Sequence, residues 1–458
     1  MNDHRIKLEE NLFKITWPIF VESLLFMLLG SMDIFMLGKY SDNAVGAVGI
    51  VNQIINMLNL LFGIITAGTT IICSQYIGAK KKDEDIIKLV GTSLIINTFI
   101  GMILSLIIYI FSQFILRCMN VPPEFMVYST QFIEIVGGFI VIQAIAMTFT
   151  SVIRSFGFTK ICMYTTLIMN IINVILNYIL IFGNFGAPSL GVQGSAISTT
   201  ISKIIGTIIL GYFLFKKILP KFSFQCLKKF PNQELKSMLL MGVPAAGENM
   251  SYSLAKLVAT VILTHISISA VTTNSYINNI CVFIFVFSVS IAQGTSILVG
   301  RLIGRGKSKE AYELCFSSLK KAFTVSTILG IIVAILGRNI FGIFTDNEEI
   351  LTLGASVLFI NAFLEPGRTF NLVIINCLRA CGDVRFPVYV GICSMWTVGV
   401  GLAYVLSITL GLGMPGMWIA LALDEWLRGI IMYYRWESRR WIGKAVASNE
   451  KSLVIEAN

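Results

Sequence analysis

Asp33 stands in the apolar run Met32-Asp33-Ile34-Phe35. An ionisable group in hydrocarbon costs several kcal/mol, so it is kept for function or neutralised by a partner. Asn170, Asn173 and Asn177 fall at i, i+3 and i+7, which on a helix lines three amides along one face. Thr199 lies in the next apolar stretch. One carboxylate with amide and hydroxyl oxygens is a ligand set for a hard monovalent cation such as Na+, and the same network would also tune a carboxylate that takes up H+. Two plainer readings stay open: Asp33 as an interfacial carboxylate capping the next loop, and the amides as interhelical hydrogen bonds.

A second group sits later in the chain. Glu248 follows Pro244 by four residues in Gly242-Val243-Pro244-Ala245-Ala246-Gly247-Glu248, and Glu22 follows Pro18 in the same way. Proline removes a helical hydrogen bond, so freed carbonyls would turn toward a cavity; a shared structural role near one membrane face explains the pair equally well. Arg368 has Glu365 three residues before it. It either pairs locally, approaches Glu248, or recognises an anionic group on a cargo. Lys203 and Lys256 read as partly buried counter-ions or snorkelling residues, and Asp424, Glu425 and Arg428 as a local ion pair near the cytoplasmic end of the last span.

The elements that must hold these residues are membrane-spanning helices. The sequence is 55 % hydrophobic and 13 % charged with mean hydropathy +0.80, far from the soluble average of about a quarter charged. Crossing the bilayer takes about 20 apolar residues per helix, and twelve stretches qualify, beginning near residue 12 and ending near 435. On this spacing Asp33 lies about 28 Å above Lys14, in the outer half of the first span. The net charge of +10 is unevenly placed: 28 of the 35 Lys and Arg fall on loops of one side, three (Lys39, Arg117, Arg338) on the other and four inside helices. Excess positive charge marks the cytoplasmic side, so both termini are expected there. The basic balance is therefore a topology signal and no nucleic-acid partner is implied.

The chain is also duplicated. Ser74 to Lys80 answers Gly300 to Gly306, with Gly78 and Gly304 separated by 226 residues; Arg154 to Gly157 answers Arg379 to Gly382 at 225; Pro18 with Glu22 answers Pro244 with Glu248 at 226. The polar interruption from Lys216 to Lys236 separates the copies. Residues 1–215 and 236–440 then form two six-helix bundles related by a pseudo-two-fold along the membrane normal, joined by a cytoplasmic linker at 216–235 and followed by a cytoplasmic tail at 441–458. Asp33 has Ala259 as its counterpart, so the scaffold repeats while the charge does not.

Enzymatic chemistry finds no support. There is no Walker sequence, no GxGxxG after a strand and no HExxH, and His4 and His265 are the two histidines. The nine cysteines are scattered without CxxC spacing and read as small buried hydrophobes. No cleavable signal peptide is evident, and the first helix is expected to serve as its own signal.

Trp17-Pro18, Asp33 to Gly38, Ser74 to Ala79, Arg154 to Gly157, Leu190 to Ala196, Glu248 and Leu378 to Asp383, in this order and duplicated, resemble the multidrug and toxic compound extrusion (MATE) family of the MOP flippase superfamily. The resemblance implies a secondary antiporter of the bacterial plasma membrane that expels organic cations and amphiphilic drugs in exchange for H+ or Na+, by alternating access of two lobes. It needs no cofactor beyond the coupling ion and acts as a monomer in the bilayer. Asp33 then matches the family's first-helix carboxylate, Asn173 and Asn177 its fifth-helix polar pair, Thr199 a sixth-helix hydroxyl and Glu248 the seventh-helix carboxylate of some members. Two departures, Asn177 where Asp is frequent and Arg368 where some Na+-coupled members carry a carboxylate, favour H+ coupling at Asp33. A flippase for a lipid-linked saccharide, or a non-transporting receptor or scaffold, is the alternative.

Overall fold

The computed structural model describes residues 12–223 and 232–446. The polar start, the middle of the linker and the end of the tail, assigned above to the cytoplasm, lie outside the described residues. The described residues contain no strand; their helices are α1 (Leu12–Gly38), α2 (Asp42–Gly78), α3 (Asp83–Cys118), α4 (Pro123–Phe132), α5 (Ile140–Ser155), α6 (Thr159–Phe182), α7 (Val192–Phe213), α8 (Asn232–Ile266), α9 (Ile268–Gly304), α10 (Ser308–Ile335), α11 (Gly337–Phe341), α12 (Glu348–Ala380), α13 (Arg385–Ser394) and α14 (Gly413–Glu437).

These helices make twelve rods, the number read from the sequence. Nine of the described helices are long and apolar enough to cross a membrane, and α4 with the π-turn Ile133–Gly137 that extends it forms a tenth span with α5, bent by 46° at the break between Gly137 and Ile140. The bend has a local cause: wide π-turns break the regular ladder, and a Cβ on Gly138 would strike the Glu134 carbonyl. α13 continues through two π stretches, Met395–Leu402 and Val405–Thr409, as one span. α8 and α14, 35 and 25 residues long, complete the twelve. Both carry charge in mid-helix, Glu248 and Lys256 on α8 and Asp424, Glu425 and Arg428 on α14, which dilutes their hydropathy.

The chain packs as two compact units. One takes Trp17–Cys73 and Lys81–Gly242; the other takes Ser74–Lys80, the first turn of α1 and the chain from Val243 onward. The first turns of α8 thus belong with the first unit, because Gly242 lies so close to α2 that a Cβ there would strike the Ile64 carbonyl. α8 runs on through Pro244 as one continuous helix.

In the first unit the core gathers Leu37, Val51, Phe62, Leu116, Ile133 and Ile181 around α2, α3, the bent span and α6. Among the described residues the second unit shows two cores. One is built on α9, α10, α12 and α14 with the Trp436–Trp441 stack at 4.4 Å; the other gathers Leu263, Ile277, Phe341 and Leu358. In this unit the duplicated glycines meet: a Cβ on Gly78 would strike the Arg301 carbonyl, and one on Gly304 would strike that of Gln75. The backbones of α2 and α9 approach there closer than side chains allow.

Candidate functional site

The first unit brings the four cation-site candidates together. α6 presents Asn173 and Asn177 one turn apart, both fully buried, α1 supplies Asp33 and α7 supplies Thr199. Their hydrogen bonds close a ring. Asn177 Nδ2 donates to Asp33 Oδ1 at 2.5 Å and to Asn173 Oδ1 at 3.1 Å; Asn173 Nδ2 donates to Thr199 Oγ1 at 3.3 Å; Thr199 Oγ1 donates to Asp33 Oδ2 at 3.3 Å. Asp33 is 8 % exposed, and both its oxygens accept from neutral donors. Asn177 Oδ1 has no partner among the described residues. Asn170, on the same amide stripe, donates instead to the Leu25 carbonyl at 2.9 Å, so it ties α6 to α1 and stands outside the ring.

A cation already sits nearby. Lys203 stands one turn beyond Thr199 on α7 and lines a small cavity with Gln143 and Thr200. Among the described residues no group of three or more His, Cys, Asp or Glu comes together as a metal cluster. The ring offers one carboxylate with amide and hydroxyl oxygens, suited to a proton or a single monovalent ion.

In the second unit Glu248 and Arg368 have separate partners. Arg379 Nη2 donates to Glu248 Oε2 at 2.5 Å, and in the first unit Arg154 Nη2 lies 2.9 Å from Glu22 Oε2. Arg368 Nη1 donates to Glu365 Oε1 at 2.6 Å, and its Nε lies 3.6 Å from Glu425 Oε1. Arg428 extends the chain of charge, at 2.7 Å from Asp424 Oδ2 and 3.1 Å from Glu425 Oε1. Asn371 donates to Glu425 at 2.9 Å and Ser394 to Asp424 at 2.5 Å. Arg368, Asp424, Glu425 and Arg428 line a cavity with Lys256 and Trp418.

Sequence reasoning took Asp424, Glu425 and Arg428 for a local pair, whereas they join Arg368 in one network across α12 and α14. It also left Arg154 and Arg379 without acidic partners. The repeat offset holds the missing signal: Glu22 and Arg154 recur together as Glu248 and Arg379, and Lys203 recurs at 225 as Arg428.

The same offset appears in a comparison with known families. The MatE family model matches residues 18–179 and, 226 positions later, residues 244–405. The chain belongs to the MATE family. This MATE protein is 41 % identical over 437 residues to the uncharacterized transporter YisQ of Bacillus subtilis (strain 168), covering 95 % of this chain and 96 % of that one. It is 25 % identical over 454 residues to a probable multidrug resistance protein NorM of Thermotoga maritima, covering 97 % and 96 %. Its fold is that of a crystal structure of MATE in the bent conformation, with TM-score 0.87 at 18 % identity over 95 % of this chain and 96 % of the other. An outward-facing MATE transporter of the MOP superfamily aligns with TM-score 0.85 over the same share of each chain. The MATE chain is a multi-pass membrane transporter of bacterial type rather than an enzyme.

Proposed function

We propose that this MATE protein is a secondary antiporter of the bacterial plasma membrane that exports organic cations and amphiphilic drugs in exchange for H+, with Asp33 as the group that carries coupling. The observation behind this reading is the ring of Asn177, Asn173 and Thr199 around a buried carboxylate. A ligand shifts a conformational equilibrium only by its preference between states. In the ionised state Asp33 attracts a cationic cargo; a proton arriving from outside removes that attraction and turns one Asp33 oxygen into a donor. The hydrogen bonds from Asn177 and Thr199 must then reorganise, and α1, α6 and α7 with them. The cargo leaves outward, and rocking of the two six-helix lobes returns the site to the cytoplasm.

Asn177, where a second carboxylate is frequent in the family, leaves Asp33 as the one carboxylate of the ring, which favours H+ over Na+ in this scheme. Both termini are taken to face the cytoplasm, on the distribution of Lys and Arg. Multidrug export is carried over from the NorM relative's name. Ethidium efflux from loaded cells, driven in separate runs by pH and by Na+ jumps, is the test. Asp33→Asn should abolish the pH-driven component at equal expression, and near-normal efflux in that variant would refute the assignment.

A further inference from the structure

The cavity of the second unit carries three cations, Lys256, Arg368 and Arg428, against Asp424, Glu425 and the neighbouring Glu365, and among the described residues the two arginines hold the ion pairs. Each carboxylate on or beside it holds at least one ion pair, with Glu365 Oε2 left without a partner among the described residues. Glu365 and Glu425 each meet Arg368, while Asp424 and Glu425 each meet Arg428; Asp424 and Glu425 take further hydrogen bonds from Ser394 and Asn371. Donors remain unspent. Lys256 lines the cavity from α8 and has no ion pair among the described residues. Trp418 lines it from α14, is 4 % exposed, and its indole N–H has no acceptor among the described residues. Arg428 Nε is likewise without an acceptor. Trp418 and Arg428 are buried, and a buried donor left unpaired is costly, so their N–H groups favour an incoming acceptor, while Lys256 stands exposed at the cavity.

Much of the rest of the wall is apolar, including Leu263, Met395 and Met417, with Thr260, Asn274 and Asn278 among these side chains. A small inorganic anion would leave that wall uncovered. We propose that this cavity binds the acidic head of an amphiphilic organic anion, with Lys256 as its counter-charge and the apolar wall taking its body. Arg368 and Arg428 hold their carboxylates and shape the floor; Lys256 is the cation free to pair. This site is separate from the Asp33 ring and does not depend on cation antiport.

Two probes with one aromatic body and opposite charge make the test: 1-naphthaleneacetate and 1-naphthylmethylammonium, radiolabelled, in equilibrium dialysis against the full chain in lipid nanodiscs. The anion should bind above empty nanodiscs, weaken by about tenfold in Lys256→Met, and recover to within about threefold in Lys256→Arg, which restores the charge. An unchanged melting temperature shows that Lys256→Met is folded. Asp33→Asn should leave anion binding as it was, whatever ethidium efflux shows for the coupling site. Absent anion binding in the wild-type chain, equal binding in Lys256→Met, or an equal loss in Asp33→Asn would each overturn the proposal.

Discussion

Glu248 takes the Arg379 guanidinium at 2.5 Å, and one repeat earlier Glu22 takes that of Arg154 at 2.9 Å. Both pairs join the segment after a helix proline, Pro18 or Pro244, to the Arg of the duplicated Arg-x-x-Gly element. Proline weakens the helix ladder locally, and the ion pair holds the loosened segment against its neighbour. Breaking a largely buried pair from one side leaves a charge unpaired, which costs about 3 kcal/mol. Arg379→Gln should therefore lower the melting temperature of the purified protein clearly, and Arg154→Gln should do the same. The double variant Glu248→Gln with Arg379→Gln should recover part of the loss. An Arg379→Gln protein that melts like wild type would show that the pair contributes nothing.

Asn177 decides the charge of the first-unit ring. Its amide nitrogen bonds Asp33 at 2.5 Å, and a second carboxylate there would face the first at close range. Two such groups cannot both stay ionised without a cation between them. Asn177→Asp should make ethidium efflux respond to Na+ at alkaline pH by several-fold, where the parent protein should respond chiefly to H+. Efflux with the same ion dependence as the parent would show that the ring does not set ion choice.

Lys203 opposes any cation that approaches Asp33. Charges inside a protein at an effective dielectric near 20 interact by at most about 4 kcal/mol, which bounds the effect from above. Lys203→Gln should tighten ethidium binding to the purified protein by about tenfold. Unchanged affinity would place the ammonium's influence elsewhere.

The spans, the duplication and the Asp33 cluster were legible because each rests on a local pattern. Apolar length marks a span, a fixed offset marks a repeat, and Asn173 with Asn177 at one-turn spacing marks a face. The second-unit network was not legible. Arg368 has Glu365 one turn away, and Arg428 has Asp424 and Glu425 on its own helix, so each charge looked satisfied locally. Only the packing of α12 beside α14 brings Glu425 to Arg368 and makes one wall of the two pairs. Likewise Glu248 and Arg379 lie 131 residues apart, and no helical period connects them.

The glycines that mark the repeat sit where two backbones touch, and this separates them from glycines that are merely tolerated. A methyl on Gly304 would occupy the place of the Gln75 carbonyl, and Gln75 in turn donates to the Ala380 carbonyl at 2.7 Å and accepts from the Val446 amide at 2.9 Å. Parting α2 from α9 therefore strains the anchor of the chain's last described residues as well as the crossing itself. Overpacking of this kind costs about 1–3 kcal/mol. Gly247, on α8 beside Glu248, meets nothing within 4 Å of an added Cβ, and alanine in a helix interior gains roughly 0.5–1 kcal/mol over glycine. Gly304→Ala should thus lower the melting temperature and the yield of folded protein, whereas Gly247→Ala should hold or raise both. If the two variants melt alike, the close crossing of α2 and α9 is not what the duplicated glycine protects.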